Sequence, residues 1–170
     1  MKADFVERLA SARIGRTYNQ YTHSPLRRAR LAAYLDERAD APILLVAEAP
    51  GYRGTRVSGI PLTSERQLTG TGPSEATATI AHRVLTELGI ADEVLLWNIV
   101  PTHPGTSTSN RPPTRVEIEA GAPFLTELVS GRRVIPIGRL AHAGFGGHYV
   151  RHPSHGGASA FRAGLRRALA

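Results

Sequence analysis

Three apolar runs each stop at a polar residue whose chemistry an ordinary turn does not need: Glu48, Asn98, and the pair His152 and Ser154. A carboxylate can accept a proton or hold a water, and a planar amide offers one donor and one acceptor side by side. An imidazole can donate to a charge that develops as a bond breaks. Each also has a plainer explanation. Glu48 reads equally as a solvated loop carboxylate, and Asn98 as a residue bonding its own turn. A lone His is structural or exposed more often than not, but Pro153 fixes the backbone between His152 and Ser154. His142, His148, His152 and His155 lie close in sequence, yet no second cluster supplies zinc spacing, so no metal or other cofactor is expected.

The elements that must position these groups follow from the hydrophobic pattern. Ile43-Leu44-Leu45-Val46 and Val94-Leu95-Leu96-Trp97 are short aliphatic runs of the kind that fill strands buried on both faces. Arg133 to Ile137 reads as a third strand and Tyr149-Val150 as a brief fourth. After the first strand, Ala47-Glu48-Ala49-Pro50-Gly51 breaks abruptly into a rigid loop, because Pro50 fixes its own φ and pushes Ala49 to extended geometry. Asn98 opens a Pro-rich loop to Pro113, and His152 opens a third, Gly-rich one.

Helices are expected over 4–13, from Pro25 to about Arg38, from Ser74 as N-cap to near Gly89, and from Thr114 with Glu117 completing a capping box. A short helix over Arg139–Phe145 and a basic terminal helix over Ala158–Ala170 complete the pattern. Strands alternating with helices predict βαβ units and a three-layer α/β/α sandwich around a four-stranded parallel sheet. Residues 1–170 read as one domain, with 1–41 a helical segment packed on it. The three irregular segments then share the carboxyl edge of the sheet, where ligands of open α/β sheets bind.

Composition narrows the partners. The formal net charge is +7 with pI ≈ 10.7, and Lys2 is the only lysine, so Arg supplies nearly all the positive charge. A guanidinium holds phosphate through two hydrogen bonds, which suits a polyanion; a general preference for Arg in the coding sequence gives the same count. There is no cysteine, which excludes disulfides, iron–sulfur ligation and a thiol nucleophile. No 18-residue apolar span or secretory leader is visible, and a soluble, cytoplasmic monomer is expected.

Ala47-Glu48-Ala49-Pro50-Gly51, Gly59-Ile60-Pro61, Asn98 after an apolar strand, and His152-Pro153-Ser154 occur in the order found in the uracil-DNA glycosylase superfamily. The chain resembles most closely the branch whose first motif reads Gly-Glu-Ala/Gly-Pro-Gly, over roughly residues 43–170. Many members of that branch carry an iron–sulfur cluster, for which this chain has no ligands. Leu62 stands where the branch commonly has a Phe that stacks on the base, and Ala49 where other branches place a water-activating Asp. The Lys/Arg-rich loop of the covalently DNA-trapping relatives has no counterpart in 101–113.

The resemblance implies an enzyme that flips uracil out of DNA and hydrolyses its N-glycosidic bond. It implies Glu48 and His152 as catalytic groups, and Ala49, Gly51, Tyr52, Leu62 and Asn98 around the base. DNA contacts would come from Arg53, Arg56, Arg66, Arg111, Ser154, His155 and Gly156. Two alternatives stay open: a non-catalytic DNA-binding module on the same fold, and an enzyme acting on a small nucleotide or phosphate ester. Against the second, the first loop has neither Gly-x-Gly-x-x-Gly nor a P-loop lysine.

Overall fold

The computed structural model describes residues 2–170. Its sheet is built from β1 (Ile43–Ala47), β2 (Val94–Asn98) and β3 (Arg133–Pro136), all parallel, in the order β2-β1-β3. Every residue of β1 and β2 is buried, as unbroken apolar runs require of strands covered on both faces. Alternation divides them: Leu44, Val46, Leu95 and Trp97 enter one core, and Ile43, Leu45, Ala47, Val94 and Leu96 the other.

The first core is closed by α1 (Lys2–Ser11), α2 (Pro25–Glu37) and α6 (Arg115–Val129). Phe5 of α1 packs edge-on against both Trp97 and Phe124, with centroids 5.7 and 5.6 Å away, tying α1 to the sheet and to α6. The second core is closed by α5 (Ala76–Glu87) and α8 (Ala158–Leu169) through Ala81, Val84, Leu85, Phe161 and Leu165. The result is the expected α/β/α sandwich. A short 3₁₀ turn, Ala91–Glu93, leads into β2.

The sheet has three strands rather than four. The expected fourth is reduced to a single parallel bridge between Ile137 and Val150. Arg133 and Ile137 donate to Pro42 and Val46 of the β1 side, so the alternate nitrogens, those of Val134 and Pro136, face the outer edge. Proline has no N–H, and the donor a fourth strand would need there is missing. The first bond on that edge comes from Gly138, whose N–H reaches Val150 O at 2.8 Å.

Two more elements depart from expectation. The long segment after β1 folds into two short helices, α3 (Thr55–Ser58) and α4 (Glu65–Thr69), which a pattern of 3.6 residues cannot signal at that length. And α5 starts one residue later than Ser74 suggests, with Glu75 at the N-cap and its side chain making no cap bond. The Thr114–Glu117 capping box of α6 is present, and α7 (Gly138–Phe145) begins at Gly138.

The N-terminal segment packs rather than borders the cavity described below. Gln20 Nε2 donates to Pro101 O at 2.9 Å, Tyr21 OH donates to Gly59 O at 2.9 Å, and Tyr18 bridges His103. These bonds pin the loops after β1 and β2 to one buried scaffold. Among the described residues no helix is long and apolar enough to cross a membrane.

Candidate functional site

A cavity of about 560 Å³ opens at the carboxyl edge of the sheet. That volume lies within the roughly 300–1,000 Å³ of small-ligand sites. Four chain segments make its wall: Glu48, Ala49, Pro50 and Gly51 after β1; Glu75 and Thr77 at the start of α5; Pro104, Asn110 and Arg111; and Ile137 to Arg139 with Tyr149 to His155. Of the residues singled out in the sequence, Glu48, Ala49, Gly51, Arg111, His152, Ser154 and His155 therefore come together. Tyr52, Arg53 and Arg56 line an adjoining groove of about 400 Å³, with Val57, Pro73, Ser107 and Thr108.

Asn98, Leu62, Arg66 and Gly156 line neither. Asn98 is 2% exposed and in register with Ala47, the residue before Glu48. Leu62 points into the second core with Ile135 and Phe161, so it offers no platform to a base. Arg66 bonds the Gly72 carbonyl on the surface.

His152 has a defined tautomer. The Ser154 N–H donates to its Nδ1 at 3.2 Å and the Ser154 hydroxyl lies 2.8 Å from the same atom. A nitrogen that accepts from a backbone amide carries no proton, so the neutral ring holds its proton on Nε2. Burial, and secondarily the neighbouring His155, lower the proton affinity of His152 and favour that neutral form. His155 itself sits at φ 51, a left-handed conformation unusual for a side-chain-bearing residue. Arg151 straps this tip by donating to the His155 carbonyl at 3.2 Å.

The carboxylates differ. Burial raises the pKa of Glu48, and it raises that of Glu75 against the opposing field of Arg53. Glu117 is the reverse case. The Arg111 fork grips it at 2.8 and 2.6 Å, and the N–H groups of Thr114 and Arg16 also reach it, holding its pKa down to about 2 despite burial. Arg111 thus reaches the cavity already paired, whereas Arg53 has no ion pair among the described residues.

Several wall residues gave no signal in the sequence. Asn110 Oδ1 accepts the Tyr52 N–H at 2.9 Å, joining two loops 58 residues apart. His103 is wholly buried between Pro50 O and Thr106 O, each 2.7 Å from a ring nitrogen, and clamps the Glu48 loop from behind. Tyr149 is 43% exposed at the rim, its ring edge-on to His142 at 5.4 Å. Among the described residues no three His, Asp or Glu side chains converge as a metal site.

A parallel sheet covered on both faces, with an acid–imidazole cavity at its carboxyl edge, defines an α/β ligand-binding class. The comparisons with known proteins are specific about the family. The model of the uracil DNA glycosylase superfamily matches residues 35–165. Among the solved structures, 18 matching chains include wild-type SMUG2 of Pedobacter heparinus, with a TM-score of 0.68 at 13% identity. That match covers 99% of this chain and 95% of the other. No curated protein sequence matches. The chain belongs to the uracil-DNA glycosylase superfamily.

Proposed function

We propose that the protein turns uracil out of DNA and hydrolyses its N-glycosidic bond, leaving an abasic site and using no cofactor. The observation that carries this reading is the tautomer of His152. With Nδ1 committed to Ser154, the neutral ring has one N–H left, on Nε2, in a residue that lines the cavity. Such a donor meets the negative charge that grows on uracil O2 as the base departs, and in a partly dry cavity a single donor of this kind is worth about 10²–10³ in rate.

The remaining roles follow the chemistry of the groups. Asn98 lies outside the cavity lining, at the carboxyl end of β2 beside Ala47; its amide pattern suits uracil O4 with its donor and N3–H with its acceptor, a pattern cytosine reverses. Glu48, in the cavity wall, suits the sugar, where positive charge develops in an oxocarbenium-like transition state. Arg53 and Arg56 in the adjoining groove, with the Ser154 hydroxyl, suit DNA phosphates. His155 and Gly156 form the tip that enters the stack as the nucleotide leaves it, which costs a few kcal/mol.

One observation favours a second reading, a DNA-binding module without catalysis. Leu62 is buried in the core and Ala49 has no acid to offer, so two positions that serve catalysis in relatives are empty of function. A labelled oligonucleotide with a single uracil, treated with the protein and then with alkali, separates the two. Cleavage at uracil alone upholds the glycosylase. A salt-sensitive mobility shift without cleavage upholds the binding module.

A further inference from the structure

Ala49 leaves the first motif without a base, and among the described residues only Glu48 and Glu75 bring carboxylates to the cavity wall. Glu75 is held there by an unusual amount of structure. Its main-chain N–H donates to Ser64 Oγ at 2.9 Å, and Ser64, fully buried, is itself fixed by a capping box with Gln67. Its carboxylate fills the space beside Gly51 and Gly54. A Cβ added at either glycine would collide with Oε2. The loop that carries Glu48 is thus shaped to admit a side chain 24 positions further on from Gly51.

Nothing in the protein hydrogen-bonds that carboxylate among the described residues, and at the N-cap of α5 it makes no cap bond. A half-buried carboxylate without partners is costly to fold. Burial raises its pKa, and the α5 N-terminus and the nearby Arg53 oppose that rise. A carboxylate held by packing in the cavity wall and left without hydrogen-bond partners has the attributes of a general base.

We infer that Glu75 takes the proton from the attacking water. This rests on the glycosylase reading and assigns the step that reading leaves without a residue. The water oxygen bonds C1′ of the deoxyribose while the C1′–N1 bond breaks, and the electron pair of that bond passes to the uracil ring. His152 donates its Nε2–H to O2 of the departing anion. His152 keeps that proton and only hydrogen-bonds O2. The water proton moves to Glu75 and on to solvent, and the uracil anion takes up one proton from solvent, so the net reaction consumes one water and gives uracil and a 1′-hydroxyl sugar. Glu48, the other carboxylate of the wall, serves the sugar rather than the water.

The test uses the full-length protein in single-turnover excision from a uracil oligonucleotide, across pH, with binding to an abasic-analogue oligonucleotide measured alongside. Glu75→Gln is expected to lower the excision rate by about 10²–10⁴. Its binding to the analogue should be unchanged. Glu75→Ala should regain activity with added formate, which replaces a lost proton acceptor but not a lost packing contact. The acid limb of the wild-type pH profile should flatten in Glu75→Gln. An unaltered rate in Glu75→Gln, or a loss of rate matched by a loss of binding and unresponsive to formate, overturns the assignment while leaving the glycosylase reading intact. Absence of uracil release by the wild-type protein overturns both.

Discussion

Replacing Glu117 by Gln tests how the cavity wall is held. Glu117 is 1% exposed and accepts from the Arg111 fork, the Thr114 N–H and the Arg16 N–H. Its pKa lies at about 2 rather than the ordinary 4.5. Each tenfold change in proton affinity corresponds to about 1.4 kcal/mol, so the ionised carboxyl contributes roughly 3 kcal/mol. Because the folded-state value is depressed, that stability is fully present above pH 4.5 and is lost as the pH falls towards 2.

Glu117→Gln should therefore lose about 3 kcal/mol at pH 7 by urea unfolding. At roughly 2–4 °C per kcal/mol for a chain of this size, the melting temperature should drop by about 6–12 °C. The gap between the two proteins should close as the pH is lowered through the same window, since the wild-type carboxyl then becomes neutral too. A gap of equal size at both ends of that pH range would refute the argument, because it would trace the loss to packing rather than to charge. The same substitution frees Arg111 beside Asn110 and Pro104, so its effect on DNA binding measures how far that cavity wall depends on the pair.

Three other outcomes are expected. His152→Ala should reduce single-turnover excision by about 10²–10³ with DNA binding retained. Tyr149→Ala should weaken binding to a single-stranded uracil oligonucleotide by about 1–3 kcal/mol if its exposed ring stacks on a base, in the place Leu62 vacates; equal affinity would remove it from the interface. Glu75→Gln should melt at a higher temperature than wild type at pH 7. Burial raises the folded-state pKa of Glu75, so the protonated form is the one the fold favours, and the penalty sets in as the pH rises through that value. The advantage should shrink as the pH falls towards 4.5, and calorimetry across that range checks it.

Much of the fold was legible because its signals are local. The runs 43–46 and 94–97 read as strands buried on both faces, and both are. Thr114 and Glu117 mark the start of α6 through a capping box formed within four residues. The order of the Glu48, Asn98 and His152 motifs pointed to the superfamily that the family comparison then identified. Even the missing fourth strand had a warning, since Pro136 cannot donate from an outer edge.

What the chain alone withheld are the meetings of distant segments. Leu62 reads as a base contact by its motif position, but the turn at φ 48 carries it into the core beneath α5 and α8. Arg111 reads as a DNA contact, yet α6 presents Glu117 to both arms of its fork. Glu75 reads as the first turn of a helix, and nothing near it in sequence signals a cavity. Its place is decided by two glycines in another loop that leave room for its carboxylate, and by a serine that fixes its backbone. Periodicity, caps and motif order are properties of neighbours along the chain, and the sequence determines them unaided. Which carboxylate is paired and which is left open to a ligand depends on the space between elements, and only packing decides that.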